Sequence, residues 1–181
     1  MANDINKCCA FTGHRPTKFP WKYDEQDKRC IELKAVLIEQ IEKLAAAGVT
    51  NFYSGMALGV DTWAAMAVLA LRERKPTVKL HCVLPCEGQE IKWAIPAQTR
   101  YKMILGEADS VDYVSRFYYK DCMLKRNQRL VDSAALLIAV YNGEKRGGTA
   151  ATVRYAQKTG REIIYINPTT LLVSKLEPTW H

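Results

Sequence analysis

The sequence predicts an α/β fold, a mostly parallel sheet with helices on both faces. Three observations predict it. Short apolar runs alternate with longer segments of helical spacing along nearly the whole chain. One run, Ala134 to Tyr141, is almost continuously apolar, as a strand covered on both sides has to be. Gly13, Gly55, Pro85 and Asn142 each directly follow a strand-like run, so the loops they begin converge on one edge of such a sheet.

In chain order, Lys7 to Thr12 reads as the first strand, ending at Gly13. The loop from His14 to Tyr23 holds two prolines and three aromatics, too interrupted for a helix and too aromatic for a linker. In that loop Trp21 and Tyr23 suit either stacking on a base or packing against the next helix. A helix follows from about Asp27 to Ala47, with Cys30, Leu33, Leu37, Ile41 and Leu44 at three- and four-residue spacing and Gly48 as its stop. Thr50 to Tyr53 is the second strand, and Thr62 to Arg74 a helix closed before Pro76. Val78 to Leu84, Ser110 to Val114 and Glu162 to Ile166 complete the strands. Helices are expected over Pro96 to Leu105, closed by Gly106, over Asp121 to Asp132, and from the glycines at 147 and 148 to near Gly160. The tail to His181 has no strong pattern and is expected to pack loosely.

A chain of 181 residues is expected to form one domain, 1–181, with a core over about 7–167. Hydrophobic residues make up 48% and charged residues 25%, ordinary values for a globular protein. No apolar run approaches a membrane span, and the first residues lack the apolar stretch of a secretory signal, so no membrane partner and a cytoplasmic location are expected. None of the six cysteines forms a C-x-x-C pair, and no disulfide framework, metal site or cofactor is indicated. The formal charge of +7 suits an anionic ligand or nucleic acid and does not choose between them.

Four stretches carry candidate chemistry. Ser54, Gly55, Met56, Gly59 and Asp61 lie where a strand turns into a helix, the arrangement in which glycines admit an anion to free backbone N–H groups. Asn142 opens a second loop ending in Gly147, Gly148 and Thr149, whose hydroxyl can face a ligand or cap the helix. Lys125-Arg126-Asn127-Gln128-Arg129 is a basic helical stretch with Arg126 and Arg129 nearly on one side, suited to phosphate or simply to solvent. Gly13, His14 and Arg15 end the first strand; His14 can bind or, with a positioned partner, act as acid or base.

These motifs carry a resemblance. Ser54-Gly-Met-Ala-Leu-Gly-Val-Asp61 resembles the S-G-x-A-x-G-[IV]-D signature of the DprA/LOG (SLOG) superfamily, and Lys125 to Arg129 resembles the R-N-R segment of DprA-like proteins. Thr12-Gly-His-Arg-Pro16, together with the short length, is most similar to the YpsA-like branch. The resemblance implies a Rossmann-like fold that binds or senses a nucleotide-derived small molecule, such as an ADP-ribose or NAD-related compound. Within the superfamily, LOG proteins hydrolyse nucleoside monophosphates and DprA proteins bind single-stranded DNA, so both activities stand as alternatives. The LOG pattern carries a catalytic glutamate three residues after its threonine; here Thr152 occupies that place. LOG-type catalysis is therefore not expected, and Arg126, Asp61 and His14 are the residues left for any reaction. The sequence leaves room for a homo-oligomer.

Overall fold

The strand at the centre, β1 (Cys8–Gly13), shows how the layers form. Cys8 through Phe11 are fully buried and alternate between two cores. Cys9 and Phe11 enter one core, Cys8 and Ala10 the other, as the two-residue strand period requires. The computed structural model describes residues 3–177. Around β1 lie β2 (Asn51–Ser54), β3 (Lys79–Leu84), β4 (Ser110–Tyr113), β5 (Leu136–Val140), β6 (Glu162–Ile166) and β7 (Val173–Ser174). Their order in the sheet is β4-β3-β2-β1-β5-β6-β7, parallel except for β7.

Helices α1 (Lys28–Ala46), α2 (Val60–Arg74) and α3 (Ile95–Glu107) contribute to the Cys9–Phe11 core. On the opposite face, α4 (Cys122–Asp132) and α5 (Gly148–Lys158) cover Cys8, Ala10, Leu137, Ala139 and Ile163. Helices thus cover both faces of the sheet, and the fold is Rossmann-like. The chain leaves β1 toward β2, β3 and β4, then returns to β5 on the other flank of β1. Beyond the carboxyl ends of β1 and β5, two neighbouring loops diverge and leave a crevice.

The elements differ from the sequence expectation in three places. Gly106 does not close α3, which runs on to Glu107; its φ is not left-handed, and an exposed glycine there leaves the helical ladder intact. The apolar run from Ala134 to Tyr141 shortens to a strand of five residues, all but the first buried. The tail is not patternless: Val173 and Ser174 pair antiparallel with Ile166 and Tyr165. A turn allows this, because the Asn167 side chain accepts from Thr169 N at 2.9 Å and Thr170 N at 3.1 Å. Residues 178–181 of the expected tail lie outside the described residues.

The long β1–α1 connection carries one 3₁₀ turn, Pro16–Lys18, and is otherwise held by packing. Phe19 stacks on Trp21 at 4.8 Å and on Trp63 of α2 at 5.7 Å. Trp21 therefore packs, whereas Tyr23 stays 64% exposed. Nearby, Glu25 takes two hydrogen bonds from Arg100 of α3, at 3.0 and 2.8 Å, and one from Trp63 Nε1 at 3.1 Å. Lys34 of α1 adds a fourth at 2.5 Å. Burial pushes the Glu25 carboxyl up, but the donors from Arg100, Lys34 and Trp63 outweigh it and hold the pKa at about 2 against an ordinary 4.5. One carboxylate thereby ties this loop to three helices.

Because the folded pKa of Glu25 is depressed, its contribution is fully present above 4.5 and fades as pH falls toward 2. Glu25→Gln is expected to cost on the order of 2 kcal/mol at neutral pH. Urea unfolding at a series of pH values checks this: the gap to the wild type should narrow below pH 4.5, and a gap independent of pH would contradict the electrostatic account.

Candidate functional site

A cleft of about 240 Å³ opens at the crevice between β1 and β5. Its floor begins at Phe11, Thr12 and Gly13. Gly13 is required by close approach: a Cβ there would lie 2.6 Å from Cβ of Val60, the first residue of α2. Beyond it, His14 is buried, with Nε2 2.9 Å from Asn142 Oδ1. Asn142 Oδ1 also accepts from Glu144 N at 3.0 Å, so one side chain joins the β1 and β5 loops. Burial lowers the His14 pKa, while Asn142 and Glu144 act in the other direction. Arg15 follows, exposed at the rim.

The β2–α2 loop is wound on itself. Ser54 Oγ donates to Asp61 O at 2.9 Å and accepts from Met56 N at 3.1 Å. Thr62 Oγ1 donates to Ala57 O at 2.8 Å, and Asp61 Oδ2 accepts from Ala57 N at 3.2 Å. Met56 takes a φ of 56° and is fully buried. Gly59 takes a φ of 90°, with Pro16 Cδ 3.0 Å from where its Cβ would stand. Ser54, Gly55, Met56 and Gly59 accordingly do not line the cleft; they form the wall behind it. Ala57 and Asp61 reach its surface.

The reason for Gly55 lies elsewhere in the chain. A Cβ on Gly55 would meet Arg126 Nη1 at 2.6 Å and its Cδ and Cζ at 2.8 Å. Arg126, on α4, is only 4% exposed, and its Nη1 donates to Gly55 O. Arg126 Nε donates to Asn127 Oδ1 at 2.8 Å. Burial lowers the Arg126 pKa and raises that of Asp61, and each is opposed by the charge of the other. The Ala57 N–H and Arg15 also draw Asp61 toward its ionised form. Arg129 does not share this position. It is exposed and donates to Tyr113 O at 3.3 Å, one turn of helix having carried it past the cleft to the end of β4.

The fourth wall is the β5–α5 loop. Gly147, with a φ of 104°, caps α5 without any side-chain bond. Thr149 is therefore not the cap; it sits within the first turn, buried at the cleft surface. Its hydroxyl has no hydrogen-bond partner among the described residues, whereas Thr152 turns back to donate to Gly148 O at 2.8 Å. Asn127 Nδ2 reaches within 4.0 Å of where a Gly148 Cβ would be, so α4 and the start of α5 meet across the cleft.

Gly13, His14, Arg15, Asp61, Arg126, Asn127, Gly147, Gly148 and Thr149 thus line one cleft, and Asn142 stands just behind it, holding His14. Residues not singled out from the sequence join them: Thr17, Lys18, Met123, Glu144 and Arg146. Met123, three residues before Arg126, and Arg146, adjoining the glycines, were within reach of helix spacing and loop composition. Nothing in the sequence separates Lys18 from Lys22. Lys18 pairs with Glu144 at 3.1 Å, which leaves Arg15 and Arg146 as the rim cations without an ion-pair partner among the described residues. No three His, Cys, Asp or Glu side chains come together as a metal-ligand set among the described residues. No helix described is long and apolar enough to cross a membrane.

The YpsA family model, described as the YspA SLOG family, matches residues 9–171. The chain belongs to this family. Its relatives include a UPF0398 protein of Bacillus cereus (strain G9842), 30% identical over 174 residues that cover 94% of this chain and 93% of that protein. A UPF0398 protein of Bacillus thuringiensis (strain Al Hakam) is 30% identical over 157 residues, 85% of this chain and 84% of the relative. Among solved structures, DNA processing protein A (DprA) from Streptococcus pneumoniae superposes with a TM-score of 0.58 at 18% identity, covering 88% of this chain and 50% of that one. DprA from Helicobacter pylori gives a TM-score of 0.58 at 20% identity, covering 87% of this chain and 64% of that one. The YpsA-family chain therefore spans between half and two thirds of these two proteins and shares their fold.

Gly55, behind the YpsA-family cleft, and Gly148, on its surface, should respond unequally to a methyl group. Gly55→Ala is expected to cost roughly 1–3 kcal/mol by displacing the Arg126 guanidinium. Gly148→Ala, whose Cβ would make only an ordinary van der Waals contact with Asn127 Nδ2 at 4.0 Å and whose φ is ordinary, should change stability by less than about 0.5 kcal/mol. Thermal melts of the two variants decide it, and equal losses would show that Arg126 is not seated on Gly55.

Proposed function

We propose that the cleft binds a nucleotide-derived small molecule, with its phosphate at the start of α5 and its sugar toward Asp61 and Arg126. The observation that carries this is the convergence of Arg15, Lys18, Arg126 and Arg146 with the free N–H end of α5 in one crevice. Helix α5 spans Gly148–Lys158, enough for its aligned peptide dipoles to favour an anion at that end. The start of α2 is a poorer place for phosphate, because Asp61 stands in its first turn. The crevice also lies where doubly wound sheets take ligands. Over Lys18, Glu144, Lys145, Arg146 and Gly147 it continues as an open surface, leaving room for a group larger than one phosphate and its sugar. An ADP-ribose or NAD-related compound fits this description. The chain is read as one ligand-binding domain.

Nucleotides are expected to raise the melting temperature, and the panel should include AMP, ADP, NAD and ADP-ribose. Gly148→Asp, which places a carboxylate at the α5 end, should abolish the rise while leaving the ligand-free melting temperature within about a degree or two. The absence of any shift across the panel would overturn the proposal. Free base released from a nucleoside monophosphate, and lost in Arg126→Ala, would replace it with hydrolysis by Arg126 with Asp61 or His14. Oligonucleotide affinity falling steeply with salt would replace it with single-stranded DNA binding, the property named for the DprA of Helicobacter pylori.

A further inference from the structure

Asp61 and Arg126 are both more than nine-tenths buried, both line the cleft, and each lies in the field of the other. Yet no direct ion pair joins them. Asp61 Oδ2 is engaged by Ala57 N, but Oδ1 has no hydrogen-bond partner among the described residues. Arg126 spends Nε on Asn127 and one Nη1 hydrogen on Gly55 O. Its Nη2 finds only Met123 Sδ, at 3.9 Å. A guanidinium carries five N–H groups, so donors remain for the cleft. These free positions face the cleft, where an occupant that pairs with both gains hydrogen bonds from each.

The chemistry of the occupant follows from the two faces. A phosphate oxygen would satisfy Arg126 but stand against the Asp61 carboxylate. An ammonium group would satisfy Asp61 and stand against Arg126. A hydroxyl donates to one and accepts from the other at the same time. We infer that the Asp61–Arg126 gap receives a sugar hydroxyl, making Asp61 the residue that selects ribonucleotides over deoxyribonucleotides. This rests on the nucleotide binding proposed above and adds to it the source of sugar selectivity.

Calorimetric titration of the full chain with ADP and GDP, each alongside its 2′-deoxy and 3′-deoxy analogues, provides the test. Loss of the 2′-hydroxyl is expected to weaken binding roughly tenfold or more, since it leaves polar groups unpaired under the bound ligand, whereas weakening by loss of the 3′-hydroxyl alone would overturn the inference. Asp61→Asn retains an acceptor for Ala57 N, and it should bring the ratio of ribonucleotide to deoxynucleotide affinity to near one. Equal binding of ribo and deoxy forms by the wild type would overturn this inference and leave the nucleotide site standing. An equal loss for both forms in Asp61→Asn would also overturn it, marking Asp61 as a support of the loop alone. Failure of every nucleotide to bind would overturn the site itself.

Discussion

A buried guanidinium organises the carboxyl edge of this sheet. Arg126 comes from α4, on one face, and rests on the carbonyl of Gly55, at the end of a strand whose following helix lies on the other face. A charge in that position is costly unless its surroundings answer it. Gly55 answers by lacking a side chain, Asn127 by offering its carbonyl, and Asp61 by its charge. The windings of the β2–α2 loop, from Ser54 to Thr62, hold Gly55 against Arg126 and Asp61 within the field of its charge. A buried guanidinium and a buried carboxylate without a direct ion pair contribute little to stability, and both stand on the surface of the open cleft.

The other walls are positioned by contacts of the same long-range kind. His14 and Asn142 tie the loop after β1 to the loop after β5. Farther out, Glu25 fastens the β1–α1 connection to α1, α2 and α3 through Lys34, Trp63 and Arg100. The aromatic cluster of Phe19, Trp21 and Trp63 fills the space between. A connection with a single 3₁₀ turn thus becomes a packed flank of the cleft, and Arg15 and Lys18 extend from that turn.

Much of this was legible from residues alone. The alternation of apolar runs and helical spacing locates every strand from β1 to β6, because burial on a sheet face or a helix stripe leaves a local period. The glycines at 13, 147 and 148, with Arg126 and Asn127, were recognisable as loop and helix residues of one edge. The purpose of Gly55 was not legible. From the sequence it suggests approach by a ligand; in the fold its space is filled by a side chain 71 positions away. Glu25 was invisible for the same reason, since nothing local distinguishes it from Asp24 or Glu32. The β7 pairing escaped because two exposed residues carry no period, and Gly106 misled because a glycine stops a helix only when it turns left-handed.

The sequence by itself determined the order of strands and helices, the parallel sheet covered on both faces, and the edge at which the loops gather. Local periodicity and turn chemistry suffice for that, because each is imposed within a few residues. Only the tertiary structure decided which members of the gathered loops face the cleft. Met56 turned inward, Gly55 became a seat for Arg126, and Lys18 and Arg146 came to the rim. Those outcomes depend on groups far apart in the chain competing for the same space and the same hydrogen bonds. Packing settles that competition, and no short stretch of residues contains it.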